Sequence, residues 1–257
     1  MVIGLDKFQE YFKDYPNSYV IIGGTACDII IEASALTPRA TKDIDIILVI
    51  EALSKDFVKQ FWKFINDGQY NAREKNEEKR NCYRFMKPET EGFPMQVELF
   101  SREPDVMDLP DGAKLTPIPV GEDLSSLSAI LMDDEYYSFT IKHSTLEDEL
   151  NRANTETLIC LKAKAFLNLT EAKENKVKVD EKNIKKHKND VFRMVVTLAA
   201  DQKFELPQTL KSDLQNFVDV IKNELPDKAI FKELGAVEAN PKELLEQLIA
   251  NFDLKHQ

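Results

Sequence analysis

Two aspartates stand one residue apart in an otherwise apolar segment, DIDIILVI at residues 43–50. Carboxylates are depleted in strands, so a segment that served only a stable sheet would carry Val or Thr there. Side chains at positions i and i+2 of a strand share a face, about 6.5–7 Å apart, which predicts that Asp43 and Asp45 project together. They repel each other unless a cation lies between them, and Mg²⁺ is the natural cation because it prefers oxygen ligands. Two solvated aspartates at a strand end are the alternative, which the motif alone favours because D-x-D is common.

A glycine pair lies at the junction between a predicted strand and a predicted helix. Gly23, Gly24 and Thr25 follow the apolar strand predicted over residues 19–22 and open the helix predicted over residues 25–35. Glycine allows the backbone to approach a ligand closely, and the free N–H groups at the start of a helix attract anions. A phosphate at this junction and a magnesium ion at the next strand would together form a site for a nucleoside triphosphate. A tight turn is the alternative explanation of the glycine pair alone.

Glu98 is the third acidic residue that the strand pattern singles out. In the segment QVELF it alternates with Val97 and Leu99, so its side chain points to one face while these neighbours point into the core. If this strand lies beside the strand of Asp43 and Asp45, Glu98 completes a cluster of three carboxylates.

The elements that must position these residues alternate between helix and strand in the first half of the chain. Hydrophobic periodicity and turn residues locate their ends. In addition to the strand and helix around the glycines, the predicted elements are a helix over residues 8–15, a strand over 44–50, an amphipathic helix from Ser54 to Gly68, strands over 82–86 and 95–100, a Pro-rich loop around 115–120, and a hairpin turn at Asp133-Asp134.

After about Thr145 the pattern becomes helical. The predicted helices cover residues 155–169 and 184–200, a segment opened by Pro207, and residues 241–252 with Asn240 as the N-cap. The sequence therefore predicts an α/β (α+β) protein, with a small mixed-sheet domain over residues 1–148 followed by a C-terminal helical bundle over residues 149–257.

Composition limits the classes of function. The net charge of −11 argues against a protein whose whole surface binds nucleic acid or an anionic membrane, although it permits a local basic site. The three cysteines form no C-x-x-C pair and have no histidine at metal-ligand spacing, which argues against zinc and predicts buried, reduced thiols. The N-terminus carries charges where a signal peptide needs an apolar run, and no apolar stretch reaches membrane-spanning length. We therefore expect a cytoplasmic protein that does not associate with a membrane.

The order of these motifs resembles that of a known family. Gly-Gly-Thr, then Arg-x-Thr-x-Asp-Ile-Asp-Ile, then a glutamate in a strand, is similar to the nucleotidyltransferase superfamily with the DNA polymerase beta-like fold. The chain most resembles the AbiEii-like branch, the toxins of some bacterial abortive-infection and toxin–antitoxin systems. The resemblance covers about residues 19–200. It implies a catalytic domain followed by helices. The residues that it implies for the catalytic core are Gly23, Gly24, Thr25, Asp43, Asp45 and Glu98.

The resemblance also implies a lysine on a helix, followed after a variable gap by an aspartate. The segment LICLKAKAFLNL offers Lys162 and Lys164, of which Lys162 is the better match, and KKHKNDVFRM offers Asp190. The sequence leaves open which lysine faces the site. The interval between Gly24 and Asp43 is longer than in compact members of the superfamily, and we expect its loop to bring Arg39 over the phosphates.

The reaction implied is transfer of a nucleoside monophosphate from a nucleoside triphosphate to an acceptor hydroxyl, assisted by two Mg²⁺ ions. Asp43 and Asp45 would bind both ions, and Glu98 would bind one of them and act as general base. The residues expected to hold the triphosphate are Gly23, Gly24, Thr25, Arg39 and Lys162, with Asp190 orienting Lys162 or the acceptor. The partners would be the nucleotide, an acceptor that is a tRNA end, a protein side chain or a small molecule, and an antitoxin protein.

Two other hypotheses stay open. The chain could be an inactive nucleotide-binding module that engages a partner protein, or a structural α/β protein in which the motifs coincide by chance.

A run of seven lysines between Lys173 and Lys188 is either a solvated surface or a patch that binds an RNA acceptor. On the second interpretation, replacing Lys185, Lys186 and Lys188 would weaken acceptor binding and leave nucleotide binding unchanged.

Overall fold

The computed structural model describes residues 2–71, 82–101, 128–131 and 133–255, which form a mixed α/β protein. The strands of its sheet are β1 (Tyr19–Ile22), β2 (Asp43–Leu48), β3 (Tyr70–Asn71), β4 (Cys82–Pro88), β5 (Gln96–Phe100), β6 (Ser144–Glu147) and β7 (Leu150–Ala153). Their order across the sheet is β3-β4-β5-β2-β1-β7-β6. The pairs β2–β5 and β1–β7 are parallel, and the other neighbouring strands are antiparallel.

Helices connect and cover these strands. Those before β6 are α1 (Leu5–Phe12), α2 (Gly23–Ala33), α3 (Lys55–Asp67), α4 (Ser128–Leu131) and α5 (Asp134–Lys142). Those after β7 are α6 (Thr155–Glu174), α7 (Glu181–Val195), α8 (Gln208–Ile221), α9 (Ala229–Leu234) and α10 (Pro241–Asn251). Two short 3₁₀ turns, Pro16–Ser18 and Ile50–Ala52, flank β1 and β2 in the chain.

Aromatic side chains of α1 and α3 pack against β1 of the sheet. Phe8, Phe12, Phe61 and Phe64 are fully buried, and Phe8 meets Tyr19 of β1 edge-on with ring centroids 5.3 Å apart. Burial of each such side chain contributes about 1.5–3 kcal/mol. This packing fixes the strand that precedes the glycine pair.

Helix α2 connects the sheet to the C-terminal helices. It contacts β1 and β2 on one side and α6 and α7 on the other, and α6 in turn packs against α7 and α8. Leu158, Leu161 and Phe166 bury the apolar side of α6. The side chains of α6 and α7 that face α2 therefore lie close to the ends of β1 and β2.

Several predicted elements are confirmed at their ends. Strand β1 covers residues 19–22 as predicted, whereas α2 begins two residues before its predicted start. Ser54 caps α3, because its hydroxyl accepts a hydrogen bond from the backbone N–H of Phe57 at 3.1 Å. Asn240 caps α10 in the same way, accepting from the N–H of Lys242 at 3.0 Å.

The prediction of a hairpin turn at Asp133-Asp134 is wrong. Asp133 instead caps α5, and its carboxylate accepts from the N–H groups of Glu135 and Tyr136 at 2.9 and 3.2 Å. A hairpin does follow, but it is formed by β6 and β7, so the sheet continues across the predicted boundary between residues 148 and 149. The predicted Pro-rich loop at 115–120 lies outside the described residues.

Two further predictions can be compared with the fold. Within the described ranges, no helix combines the length and apolar character needed to cross a bilayer. Cys27 and Cys160 are buried free thiols, as predicted, and burial raises the pKa of both, that of Cys27 to about 12. The side chain of Cys82 is outside the described part of the chain.

Candidate active site

The carboxylates singled out in the sequence lie on one face of two neighbouring strands. Along β2, Ile44 and Ile46 are fully buried, whereas Asp43 and Asp45 alternate with them and are half-buried. Strand β5 lies beside β2, the condition for a cluster of three carboxylates, and its register places Glu98 directly opposite Asp45. Opposite residues of neighbouring strands share a face, about 4.8 Å apart.

Glu98 is held by its other neighbours. One of its carboxylate oxygens accepts hydrogen bonds from Arg84 Nε of β4 at 2.6 Å and from Gln96 Nε2 at 2.8 Å. In the described ranges, no group of three His, Cys, Asp or Glu side chains is arranged to hold a metal ion. The three carboxylates therefore share a face, but in this conformation they are not arranged as a three-acid metal site.

The environment of Asp45 nonetheless favours the binding of a cation beside it. Burial raises its pKa, and the negative charge of Asp43 adds to this rise, while Lys162, Lys186 and Arg84 counter it. A carboxylate whose ionised form is disfavoured gains most from a nearby positive ion. The oxygens of Asp43 and Asp45 are also the hard ligands that Mg²⁺ prefers, so the pair fits this ion.

The glycine pair provides space beside these carboxylates. Gly23 has a φ of +69°, and a Cβ on it would lie 1.9 Å from Asp45 Oδ2. A Cβ on Gly24 would lie 2.8 Å from the side chain of Thr41. Only glycine lets the start of α2 approach the N-terminal half of β2 so closely, which explains the residue type at position 23.

Thr25 connects α2 to β2. Its side chain is fully buried, and its hydroxyl donates a hydrogen bond to the backbone carbonyl of Asp43. In this conformation, therefore, it positions β2 against α2 and is not exposed to a ligand. One turn later, the carboxylate of Asp28 accepts from the N–H of Thr41 at 2.7 Å, which fixes the loop that carries Arg39.

A buried aspartate beside the sheet, Asp190, forms ion pairs with three cations. Asp190 of α7 lies 3.3 Å from Lys162 Nζ, 3.4 Å from Arg39 Nη2 and 3.1 Å from Arg193 Nη1. Burial alone would raise the pKa of Asp190, but Lys162, Arg39 and Arg193 hold it below its ordinary value. Burial would likewise lower the pKa of Lys162, but Asp190 and other negative groups raise it. Both groups are therefore charged near neutral pH.

The two candidate lysines of α6 point in different directions. Lys162 is 3% exposed and faces Asp190 and Asp45. Lys164 instead forms an ion pair with Asp213 of α8 at 2.9 Å. The structure thus brings Lys162, and not Lys164, together with the other predicted site residues.

Sequence reasoning missed the role of Lys186. It treated the lysines of residues 173–188 as one surface, but Lys188 is buried and donates to the carbonyl and carboxylate of Glu224 at 2.9 and 2.8 Å. The side chain of Lys186 as a whole is exposed at the edge of the cluster, but protein surrounds its ammonium group. This local burial lowers the pKa of Lys186, and the positive charges of Lys162 and Arg39 lower it further. Substituting Lys186 would therefore alter the charge around Asp45, contrary to the expectation that this run is separate from the nucleotide site. The signal was the four-residue spacing that puts Lys186 and Asp190 on one helix face.

His187, which the sequence did not single out, is a further buried polar group beside this cluster. Its side chain is 8% exposed, and among the described residues its Nδ1 has no hydrogen-bond partner. Burial, together with the charge of Lys162, lowers its pKa to about 3, so the ring is neutral near neutral pH.

No known protein-family model matches the chain, and no curated protein matches its sequence.

Proposed function

We propose that this chain is a Mg²⁺-dependent nucleotidyltransferase that moves a nucleoside monophosphate from a nucleoside triphosphate to an acceptor hydroxyl. We further propose that it belongs with the AbiEii-like toxins of the polymerase beta-like superfamily, with a catalytic domain that extends through β7 and a helical bundle that begins at α6. One observation carries the proposal. A pair of carboxylates on one face of the sheet lies beside a cluster of three cations, which are the buried Lys162, the partly exposed Arg39 and the exposed Lys186.

The cation cluster suits a triphosphate. Lys162, Lys186 and Arg39 come from α6, α7 and the loop between α2 and β2, and together they outnumber the negative charge of Asp190. The pair between Arg39 and Asp190 is long, at 3.4 Å, and the side chain of Arg39 is 30% exposed. A phosphate oxygen could therefore replace Asp190 as the partner of Arg39 without exposing a buried charge.

We assign the following roles in this reaction to the residues of the site. The acceptor oxygen forms a bond to the α-phosphorus, and the bond from that phosphorus to the departing pyrophosphate oxygen breaks. Glu98 would take the proton of the acceptor hydroxyl, and Lys162 and Lys186 would neutralise the pyrophosphate. Asp43 and Asp45 would bind Mg²⁺, which supplies Lewis-acid neutralisation of the phosphates when it is bound.

Transfer of label from α-³²P nucleotides tests this proposal. Purified protein, Mg²⁺ and each labelled nucleotide would be incubated with RNA and protein fractions of a bacterial lysate. We expect label in a macromolecule with the wild type and loss of label with Asp45→Asn, because this change removes a ligand charge. Asp56→Asn is a matched control, since Asp56 is exposed on α3. Nuclease or protease sensitivity of the label distinguishes an RNA acceptor from a protein acceptor.

Two results would contradict the proposal. Equal labelling by Asp45→Asn and the wild type would remove the aspartate pair from the reaction. Nucleotide binding without transfer to any fraction would favour the inactive interaction module.

A further inference from the structure

Glu98 lies on the sheet between an acidic neighbour, Asp45, and a basic neighbour, Arg84. On one side it is opposite Asp45 of β2, where the proposed cation would bind, and on the other it is opposite Arg84 of β4. Both neighbouring strands are about 4.8 Å away, so the carboxylate can reach either side by a change of rotamer. In this conformation it is bound to Arg84 at 2.6 Å.

The contact with Arg84 is a strong one. Both side chains are mostly buried, 16% exposed for Arg84 and 11% for Glu98, and Gln96 Nε2 donates to the same carboxylate oxygen at 2.8 Å. Charge-assisted hydrogen bonds that are shielded from water are stronger than neutral ones. With this contact formed, no three acidic side chains of the described residues are arranged to hold a metal ion.

The charge of Arg84 acts on the neighbouring aspartate as well. Arg84 is opposite Glu98, which is itself opposite Asp45, so the three side chains share one face of the sheet. A divalent ion beside Asp45 would therefore repel Arg84. Arg84 and the divalent ion are therefore competitors for one group of negative charges.

We propose that Arg84 is a positioning residue that holds Glu98 away from the cation and competes with the cation for its carboxylate. Glu98 then becomes a third ligand only after a divalent ion has bound Asp43 and Asp45. The inference rests on the proposed function, which supplies the cation, and it adds that Arg84 sets the affinity of the free protein for that cation.

Mn²⁺ binding to the full-length protein without nucleotide tests this role by a readout other than activity. Free Mn²⁺ would be measured by electron paramagnetic resonance for the wild type and for Arg84→Met. Loss of the competing contact should tighten Mn²⁺ binding roughly tenfold to a hundredfold. Glu98→Gln should abolish most of this gain, because the carboxylate that Arg84 releases is then absent.

A matched control separates competition for Glu98 from a general loss of positive charge. Arg152 of β7 is opposite Ile21, which places it on the other face of the sheet from Asp45, and it pairs with Glu147. Arg152→Met should leave Mn²⁺ affinity within about twofold of the wild type, since the interposed sheet and solvent weaken its field. Should Arg84→Met fail to fold, Gln96→Leu removes the neutral donor to Glu98 and should tighten Mn²⁺ binding by a smaller factor.

Unchanged or weaker Mn²⁺ binding by folded Arg84→Met would overturn the inference, as would an equal gain in the Glu98→Gln background. Failure of the proposed function is a separate result, since it is read from labelled nucleotide and not from Mn²⁺ binding.

Discussion

The substitution Gly23→Ala tests how much of the requirement for glycine comes from the nearby side chain of Asp45 and how much from the backbone conformation. The φ of Gly23 is +69°, in the left-handed region, where a residue with a Cβ costs about 1–2 kcal/mol. The new Cβ would also lie 1.9 Å from Asp45 Oδ2 and 2.8 Å from its Cγ. Overpacking of this kind lowers stability by a further 1–3 kcal/mol, roughly as an extra methylene in a well-packed core does. We expect Gly23→Ala to lower the free energy of unfolding by about 2–5 kcal/mol.

Two comparisons isolate the contribution of Asp45. Gly92 has a similar φ of +84°, and no described atom would lie within 4 Å of its Cβ, so Gly92→Ala should cost only the backbone part, about 1–2 kcal/mol. Asp45→Ala removes the two closest atoms, so Gly23→Ala in that background should also cost about 1–2 kcal/mol. The coupling energy between positions 23 and 45 should therefore be about 1–3 kcal/mol.

Urea unfolding followed by tryptophan fluorescence measures these energies. Trp62 is the single tryptophan of the sequence and is buried in α3, so its emission reports unfolding. Additive costs at positions 23 and 45 would refute the close contact between the glycine and the aspartate. A cost for Gly23→Ala equal to that of Gly92→Ala would lead to the same conclusion.

Two further predictions concern the buried groups of α6 and α7. The folded pKa of His187, about 3, is below its ordinary value of 6.5. The unfolded chain therefore binds more protons between these values, and stability falls as the pH drops through 6.5. At about pH 5 the loss should be about 2 kcal/mol relative to neutral pH, and urea titrations should find that His187→Gln lacks this component; an identical pH dependence in the variant would contradict it. Lys162→Met should reduce the rise in melting temperature caused by Mg²⁺ and nucleoside triphosphate, whereas Lys164→Met should retain it, because only Lys162 faces Asp190. Equal shifts in the two variants, measured by differential scanning fluorimetry, would argue against the assignment of Lys162.

The local pattern of β2 predicted part of the candidate site. Strict alternation specifies that Asp43 and Asp45 share a face, because the side-chain period of a strand is two. Strand pairing is a long-range property, so only the structure shows that Glu98 is opposite Asp45 and Arg84. No local sequence pattern therefore indicated the hydrogen bond between Arg84 and Glu98.

Errors in the sequence interpretation have physical causes. An aspartate satisfies a turn and a helix N-cap by the same side-chain bonds, so Asp133 was compatible with either a hairpin or α5. The lysines of α7 were treated as one patch because composition does not specify which face of the helix is buried. The tertiary packing of α7 separates Lys188, which bonds to Glu224, from Lys186 beside the cation cluster.

Anomalous diffraction from crystals with Mn²⁺ and a non-hydrolysable nucleoside triphosphate tests the central claim most directly. We predict a manganese peak within about 2.0–2.6 Å of carboxylate oxygens of both Asp43 and Asp45. The triphosphate should contact Lys162 and Lys186, and Arg39 should have left Asp190 for a phosphate oxygen. A nucleotide bound elsewhere on the molecule, with no manganese at this aspartate pair, would contradict the assignment of the site.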